Sequence, residues 1–439
     1  MVRVSGPDVQ RIGAAVLDPF RWMPGSAYLA TLRTSADGSA VDRVIVTAYG
    51  APRSFTGEDV LELATHGGQL VPALALSTLL AAGARQATAG EFTRRAVSNG
   101  KMDLLQAEAV ADLVDARSAA MLRAALHQLD GALTRRIAAL RERVIALEAL
   151  LAYEIDFPEE DDGPLARDTV ARHAAELLGA LDALAATSHA GEIMRDGALV
   201  VLAGPPNSGK SSLFNALIGR TRAIVAEVPG TTRDALEAVL DIHGWTVRLV
   251  DTAGLREGSP DPVEQLGIEV AERYVGHADL VLVCVESAAG LRAAASDVAA
   301  LTAAPRLLVR TKSDLVAISD ESDLDIVPNG DLSRPIAASA VSGAGIGAVA
   351  DAIARLFAVR HPEVDGAEAL LTRERHRWAV ARAGEEVRAF LGAWGAGGLP
   401  ATVAAVHLRA AGAALEELIG VVDREDVLDQ LFRSFCIGK

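Results

Sequence analysis

Only two cysteines occur in 439 residues, Cys284 inside an apolar run and Cys436 near the end. That rules out a disulfide framework or a cysteine metal cluster and fits the reducing cytoplasm. Aromatic residues make up 4%, while half the chain is apolar and much of that half is alanine, a balance that favours long helices over a β-rich fold. No apolar run reaches the length of a membrane span; Val71–Ala84 is interrupted by Pro72, Ser77 and Thr78. The N-terminus lacks the charged-then-apolar pattern of a signal sequence. Positive charge is scarce too: the formal net charge of −16 argues against indiscriminate nucleic-acid binding, which needs a basic surface. Local clusters remain at Arg94, Arg95 and Lys101, at Arg135, Arg136, Arg141 and Arg143, and at Arg373, Arg375 and Arg377. Each reads as an ordinary solvated helix face in preference to a nucleic-acid patch. The length predicts two to four domains.

What is present centres on Gly204-Pro205-Pro206-Asn207-Ser208-Gly209-Lys210-Ser211, which fits G-x-x-x-x-G-K-[ST]. The apolar run Ala198–Ala203 before it suits a buried strand, and Ser212–Ile218 after it is apolar at helical spacing. Strand, Gly-rich turn and helix start are the context that gives this pattern a mechanism. Glycines let backbone N–H groups approach phosphates, and the helix N-terminus adds positive potential. Asn207, Ser208 and Gly209 supply the cradle, Lys210 reaches the β/γ-phosphates, and the Ser211 hydroxyl, with Ser212 beside it, completes a Mg²⁺ shell.

Four further elements follow in order. Gly230-Thr231-Thr232-Arg233-Asp234 lies in a segment without strong periodicity, where Thr232 is expected to ligate Mg²⁺ when a γ-phosphate is present. In Asp251-Thr252-Ala253-Gly254, Asp251 would act on Mg²⁺ through its outer shell and the Gly254 N–H would sense the γ-phosphate. In Thr311-Lys312-Ser313-Asp314, Asp314 would accept two N–H bonds from guanine, a pattern adenine cannot offer. The usual first residue there is Asn, so Thr311 is a departure. Ser339-Ala340 would close over guanine O6. Together the five elements predict a guanine-nucleotide site. Leu255 stands where Ras-like proteins carry the glutamine that orients water, so another polar residue must act; Glu264 and Glu269 lie downstream.

Along the chain, residues 1–99 read as mixed α/β, with strands at Val41–Tyr49 and Val60–Gly68 and a helix over 69–82. His66 is open to two readings, a catalytic base or a structural histidine beside a turn; with no partner visible, the second is preferred. Residues 102–153 are strongly helical, with Gly131 the clearest weak point. Phe157–Pro164 reads as a solvated acidic turn rather than a metal site, and a second helical run spans 165–195. Short apolar runs alternating with helical stretches through 196–358 predict a largely parallel sheet, with a hairpin at His243-Gly244. Helical pattern resumes near Ala369 and runs to the end, broken at Gly395–Pro400.

These residues together resemble the tRNA-modifying GTPase family MnmE, also called TrmE. The most specific evidence is the terminal Ser434-Phe435-Cys436-Ile437-Gly438-Lys439, which matches that family's F-C-I-G-K signature. Ser54–Asp59, His66-Gly67-Gly68, Gly90-Glu91-Phe92 and Asp423–Phe432 resemble the family too, so the likeness covers nearly the whole chain. It implies a multidomain protein: an α/β P-loop GTPase domain (196–358) inserted in an all-α helical domain (100–195 and 359–439), preceded by an α+β folate-binding domain (1–99). The helical–nucleotide–helical order also follows from the residue patterns alone.

The resemblance further implies a cytoplasmic homodimer that acts with an FAD protein of the MnmG type, as a heterotetramer, on C5 of the wobble uridine of certain tRNAs. The one-carbon unit would come from 5,10-methylenetetrahydrofolate, with 5-formyltetrahydrofolate as a related ligand. The family's folate contacts fall on Arg3, Glu62, Lys101 and Lys439, and its hydrolytic glutamate on Glu264. Its K⁺, which serves in place of an arginine finger, would be held by Asn207, Ala226, Val228 and Thr231. Arg256 is as readily a surface charge as part of the tRNA machinery. Cys436 reads equally as a nucleophile or as a small buried residue. In the family a further N-terminal segment precedes the sequence matched by Met1–Pro7, so a displaced start or an incomplete domain edge is expected. A ribosome-assembly GTPase, an RNA-binding switch without one-carbon chemistry, would explain the same nucleotide motifs. It would not explain the first hundred residues or the terminal signature.

Overall fold

Alternation along Ala40–Tyr49 builds the first sheet: Val44, Val46 and Ala48 are fully buried, while the alternate residues Arg43 and Ile45 are exposed. The computed structural model describes residues 1–156, 167–220, 222–223, 236–252, 270–315, 335–361, 369–395 and 401–420. The chain divides into two compact units, one of residues 1–111, 129–137 and 416–439 and one of residues 112–128 and 138–415.

In the first unit, strands β1 (Val2–Ser5), β2 (Leu17–Asp18), β3 (Ala27–Arg33), β4 (Ala40–Tyr49) and β5 (Val60–Ala64) form an antiparallel sheet in the order β1-β5-β4-β3-β2. Helices α1 (Val9–Val16) and α2 (Leu70–Ala81) supply Val9, Ile12, Ala75 and Leu79 to a core shared with Leu32, Val46, Leu61 and Leu63. Helix α3 (Glu91–Ser98) follows.

The helical run expected over 102–153 is three helices, α4 (Leu104–Asp115), α5 (Ala119–Leu129) and α6 (Ala132–Asp156). One break falls at Gly131. The other, unforeseen, falls at 116–118, where the Ser118 hydroxyl accepts the Met121 N–H at 3.2 Å in the manner of an N-cap. The run over 165–195 is likewise split into α7 (Arg167–Ala186) and α8 (Ser188–Asp196). Thr187 sits between them, its hydroxyl turned back onto the Leu184 carbonyl at 2.7 Å.

The second unit contains a seven-stranded sheet in the order β12-β11-β10-β6-β9-β8-β7. Strands β6 (Ala198–Ala203), β9 (Trp245–Asp251), β10 (Leu280–Val285), β11 (Arg306–Arg310) and β12 (Ile336–Ala337) run parallel; β8 (Leu236–Ile242) and β7 (Arg222–Ala223) add antiparallel at one edge. The β8–β9 hairpin turns through His243 and Gly244 with φ of 53° and 91°, the pair of positive angles a tight two-residue turn requires. Strand β10 is buried at every position, as continuous apolar strands of doubly covered sheets are. Helices α9 (Lys210–Arg220) and α10 (Ala288–Leu301) lie between strands in sequence, and α11 (Ile346–Arg360) follows β12.

Two more helices, α12 (Glu374–Gly395) and α13 (Ala401–Ile419), complete the described chain. Helix α7 buries Val170, Ala174, Leu177, Leu181 and Leu184, a seam at three- and four-residue steps. It packs on α12, where Trp394 donates its indole N–H to the Arg167 carbonyl at 3.1 Å beneath the Arg167 guanidinium, 4.4 Å from the ring centre. No helix among the described residues is long and apolar enough to cross a membrane.

Candidate nucleotide site

The carboxyl ends of β6, β9, β10 and β11 carry the motif residues, the edge where open parallel sheets bind ligands. The phosphate loop leaves β6 at Gly204, whose φ is +145° and whose place allows no side chain: a Cβ there would stand 2.2 Å from the Cys284 carbonyl oxygen. Asn207 and Gly209 also take positive φ, 59° and 84°, curling the loop so that it hands over to α9 at Lys210. Lys210 is buried, and its ammonium donates to the carbonyls of Gly204 at 3.0 Å and Pro205 at 2.8 Å. Ser208 Oγ is buried within the loop without a hydrogen-bond partner. Ser211 and Ser212 are exposed on the first turn of α9.

Asp251 ends β9 beside Leu202 of β6 and is fully buried; the adjacent Thr252 hydroxyl donates to the Leu202 carbonyl at 2.7 Å. Among the described residues no group of three or more His, Cys, Asp or Glu side chains could hold a metal ion. Mg²⁺ usually needs no such cage, because it is held by one or two protein oxygens together with substrate phosphates. The Ser211 hydroxyl and the Asp251 carboxylate are groups of that kind.

The Thr311–Asp314 loop is built from three directions. The Thr311 N–H donates to the Val285 carbonyl at 3.0 Å, and its hydroxyl donates to the Ser208 carbonyl at 2.6 Å. Lys312, at φ 53°, lays its side chain toward the phosphate loop, donating to the Asn207 carbonyl at 2.9 Å and pairing with Glu286. The Asp314 carboxylate accepts the Ser339 hydroxyl at 2.6 Å. The Ser339 loop is closed by its own backbone, with the Ser339 N–H donating to Ala344 and the Gly343 N–H donating to Ser339; Ala340 follows on the exposed side. Asn207–Ser211, Thr311–Asp314 and Ser339 are thus brought to one sheet edge with Asp251. Ala226, Val228, Thr231, Thr232, Ala253, Gly254, Leu255, Arg256, Glu264 and Glu269 lie outside the described residues, as do Phe157–Pro164, Cys436 and Lys439.

Beneath the loop, Cys284 is fully buried in β10, and burial pushes its thiol up to about 12. Sequence reasoning missed Glu286. The available signal was an acidic residue terminating an apolar strand at the ligand-bearing edge of a parallel sheet.

In the first unit Arg3 and Glu62 are cross-strand neighbours on β1 and β5, joined at 2.7 and 2.6 Å. The Arg3 guanidinium lies over the rings of Phe55 and Phe92, at 5.4 and 5.6 Å from their centres. Arg3 also lines a cavity of about 610 Å³ between β1 and α2, a size suited to a small molecule. Glu62 and Lys101 are not on its wall; Lys101 is exposed, its stem packed over Gly57. His66 has the partner that could not be seen in the sequence: its ring Nδ1 lies 2.7 Å from one Asp42 oxygen, and its backbone N–H donates to the other at 2.9 Å. Burial alone would raise the Asp42 carboxyl, but these hydrogen bonds outweigh it and hold the group below the usual range.

A G-x-x-x-x-G-K-S loop between a buried strand and a helix, at the strand ends of a largely parallel sheet, defines a P-loop GTPase domain. Residues 1–101 match the family model for the GTP-binding protein TrmE N-terminus, and residues 104–436 match that for the MnmE helical domain. The tRNA modification GTPase MnmE of Methylobacterium radiotolerans is 44% identical over 443 residues, covering 100% of this chain and 96% of the relative. The proteins of the same name from Chloroflexus aurantiacus and Moorella thermoacetica are 41% and 38% identical, again covering 100% of this chain and 96% of each relative. The chain belongs to the MnmE family of tRNA modification GTPases.

Proposed function

We propose that this protein hydrolyses GTP with K⁺ assistance and, together with an FAD-dependent MnmG-type partner, modifies C5 of the wobble uridine of certain tRNAs using a tetrahydrofolate one-carbon unit. The observation that carries the nucleotide half is the Gly204–Lys210 loop, whose buried ammonium is held by two carbonyls of its own loop. Those contacts are exchanged for β/γ-phosphate oxygens when the triphosphate enters, so the lysine is positioned before binding. Ser211 and Thr232 supply hydroxyls to Mg²⁺, and Asp251 orients its water shell. Asp314 accepts the guanine N–H groups, with Ser339 holding its carboxylate in place. Asn207, Thr231 and the carbonyls of Ala226 and Val228 form the K⁺ site, while Glu264 positions the attacking water. A monovalent cation there neutralises charge developing at the β/γ bridge.

For the one-carbon half, Arg3, Glu62, Lys101 and Lys439 are proposed to hold the folate. The cavity beside β1 and the aromatic rings at Arg3 support a small-molecule site in this unit. A homodimer and a heterotetramer with the MnmG-type protein belong to the same reading, as does a cytoplasmic location.

The test has two arms. Purified protein should turn over GTP much faster in potassium than in sodium buffer, and Glu264→Ala should remove that turnover while nucleotide still binds. In a strain lacking the protein, mass analysis of tRNA should show unmodified wobble uridines; intact modification there would defeat the assignment.

A further inference from the structure

Three consecutive residues at the end of β10 touch both halves of the nucleotide site. The Cys284 carbonyl abuts Gly204 of the phosphate loop, the Val285 carbonyl accepts the Thr311 N–H at 3.0 Å, and the Glu286 carboxylate takes the Lys312 ammonium. We propose that Glu286 is a positioning residue for base recognition: it pins Lys312 so that the lysine stem forms a fixed wall of the slot bounded by Asp314 and Ser339. This rests on the reading that the slot takes guanine.

The pair does not earn its place through stability. Lys312 and Glu286 side chains are 40% and 51% exposed, and ion pairs at that exposure contribute little to folding. Geometry gives the pair its significance. A lysine free at every torsion loses rotamer entropy when immobilised. Here that loss is met before any ligand arrives, because the ammonium is held at two points, the Asn207 carbonyl and Glu286. The backbone of Lys312 is itself in the left-handed region at φ 53°, a conformation that persists in a non-glycine residue only where surroundings impose it.

Charge supplies a second reason. The neighbouring phosphate loop carries positive potential from its backbone N–H groups and Lys210, and Glu286 gives the Lys312 ammonium a balancing negative charge there. The pairing also neutralises an acid that would otherwise face an anionic ligand across the sheet edge. Because the lysine stem presents CH₂ groups, it serves the face of the base and not its hydrogen-bonding edge.

The proposal is tested with full-length protein and fluorescent GDP, GTP, IDP and ADP. Glu286→Ala should weaken guanine nucleotides about tenfold, the scale of one charge-assisted hydrogen bond, chiefly through faster dissociation. In steady-state turnover the loss should fall on KM rather than on kcat, and IDP should weaken by the same factor as GDP. Glu286→Asp should recover most of the affinity, and the thermal midpoint of each nucleotide-free variant should match the parent. Parental affinity in Glu286→Ala, a loss borne by kcat, or a loss for GDP without one for IDP would overturn it. If the parent protein fails to prefer GDP over ADP, the guanine reading itself falls; a parent that discriminates, with an Ala variant that binds equally well, sinks the Glu286 assignment alone.

Discussion

The hydroxyl of Thr311 donates to the carbonyl of Ser208 at 2.6 Å, tying the Thr311–Asp314 loop to the phosphate loop across 103 residues of sequence. Both groups are buried, so the bond is unavailable to water and its loss leaves a carbonyl without a partner. The usual asparagine would reach farther; threonine suffices because the loops nearly touch, with a Cβ on Gly209 only 3.3 Å from that of Thr311. Thr311→Val keeps the shape and removes the hydroxyl. It should raise the Kd for GDP by roughly five- to tenfold, about 1–1.5 kcal/mol, while Thr311→Ser stays near the parent; fluorescent-nucleotide titration decides.

Gly204 faces a harder limit. Its would-be Cβ meets backbone, the Cys284 carbonyl, at 2.2 Å, and neither strand can retreat without breaking the β6–β10 ladder. Gly204→Ala should therefore lose nucleotide binding by at least about a hundredfold, on the order of 3 kcal/mol of loop distortion. Its circular dichroism should keep the helix content of the parent. Binding within threefold of the parent would show that the loop tolerates the shift.

Much of this architecture could be read directly. Ala198–Ala203 is legible because a strand covered on both faces is a continuous apolar run, and the β8–β9 hairpin because His243-Gly244 has the chemistry its turn requires. The breaks at Ser118 and Thr187 were not: a serine caps a helix only where the chain turns, as Ser118 does, and Thr187 makes no cap bond at all, its hydroxyl turning back onto the Leu184 carbonyl. Asp42–His66 and Glu286–Lys312 escaped notice for a different reason: strand pairing makes them neighbours, and no local spacing encodes it. Of the nucleotide motifs, the phosphate loop was legible from its glycines between an apolar strand and a helix start, while Thr231, Thr232, Ala253, Gly254 and Glu264 lie outside the described residues.

Cys284 offers a check on how tightly the central sheet is closed. Burial pushes its thiol up to about 12, so at neutral pH almost none is thiolate, and the thiolate is the form that alkylates. Iodoacetamide at pH 7.5 should leave Cys284 unmodified in native protein and label it fully in denaturant, as peptide mass analysis would show. Labelling of Cys284 in minutes under native conditions would mean that β10 opens far more often than a fully buried strand should.

Acid should loosen the N-terminal unit through Glu91. Hydrogen bonds from Arg85, then from the Thr88 N–H and from Arg95, hold this carboxyl at about 2 against the burial that would raise it. The folded value is below the unfolded one of about 4.5, so the native state binds fewer protons. The stabilisation is therefore present above pH 4.5 and is lost as pH falls from there toward 2. At about 1.4 kcal/mol per tenfold change in proton affinity it amounts to about 3 kcal/mol at most, and the solvent exposure of Arg85 lowers it to about 2. Other acids titrate in both proteins, so the informative quantity is the difference between the parent and Glu91→Gln. Hydrogen exchange in α3, followed from pH 6 to pH 3, should show the parent losing more protection than the variant, whose α3 is weaker from the outset. Parallel curves across that range would remove Glu91 as the acid-sensitive group.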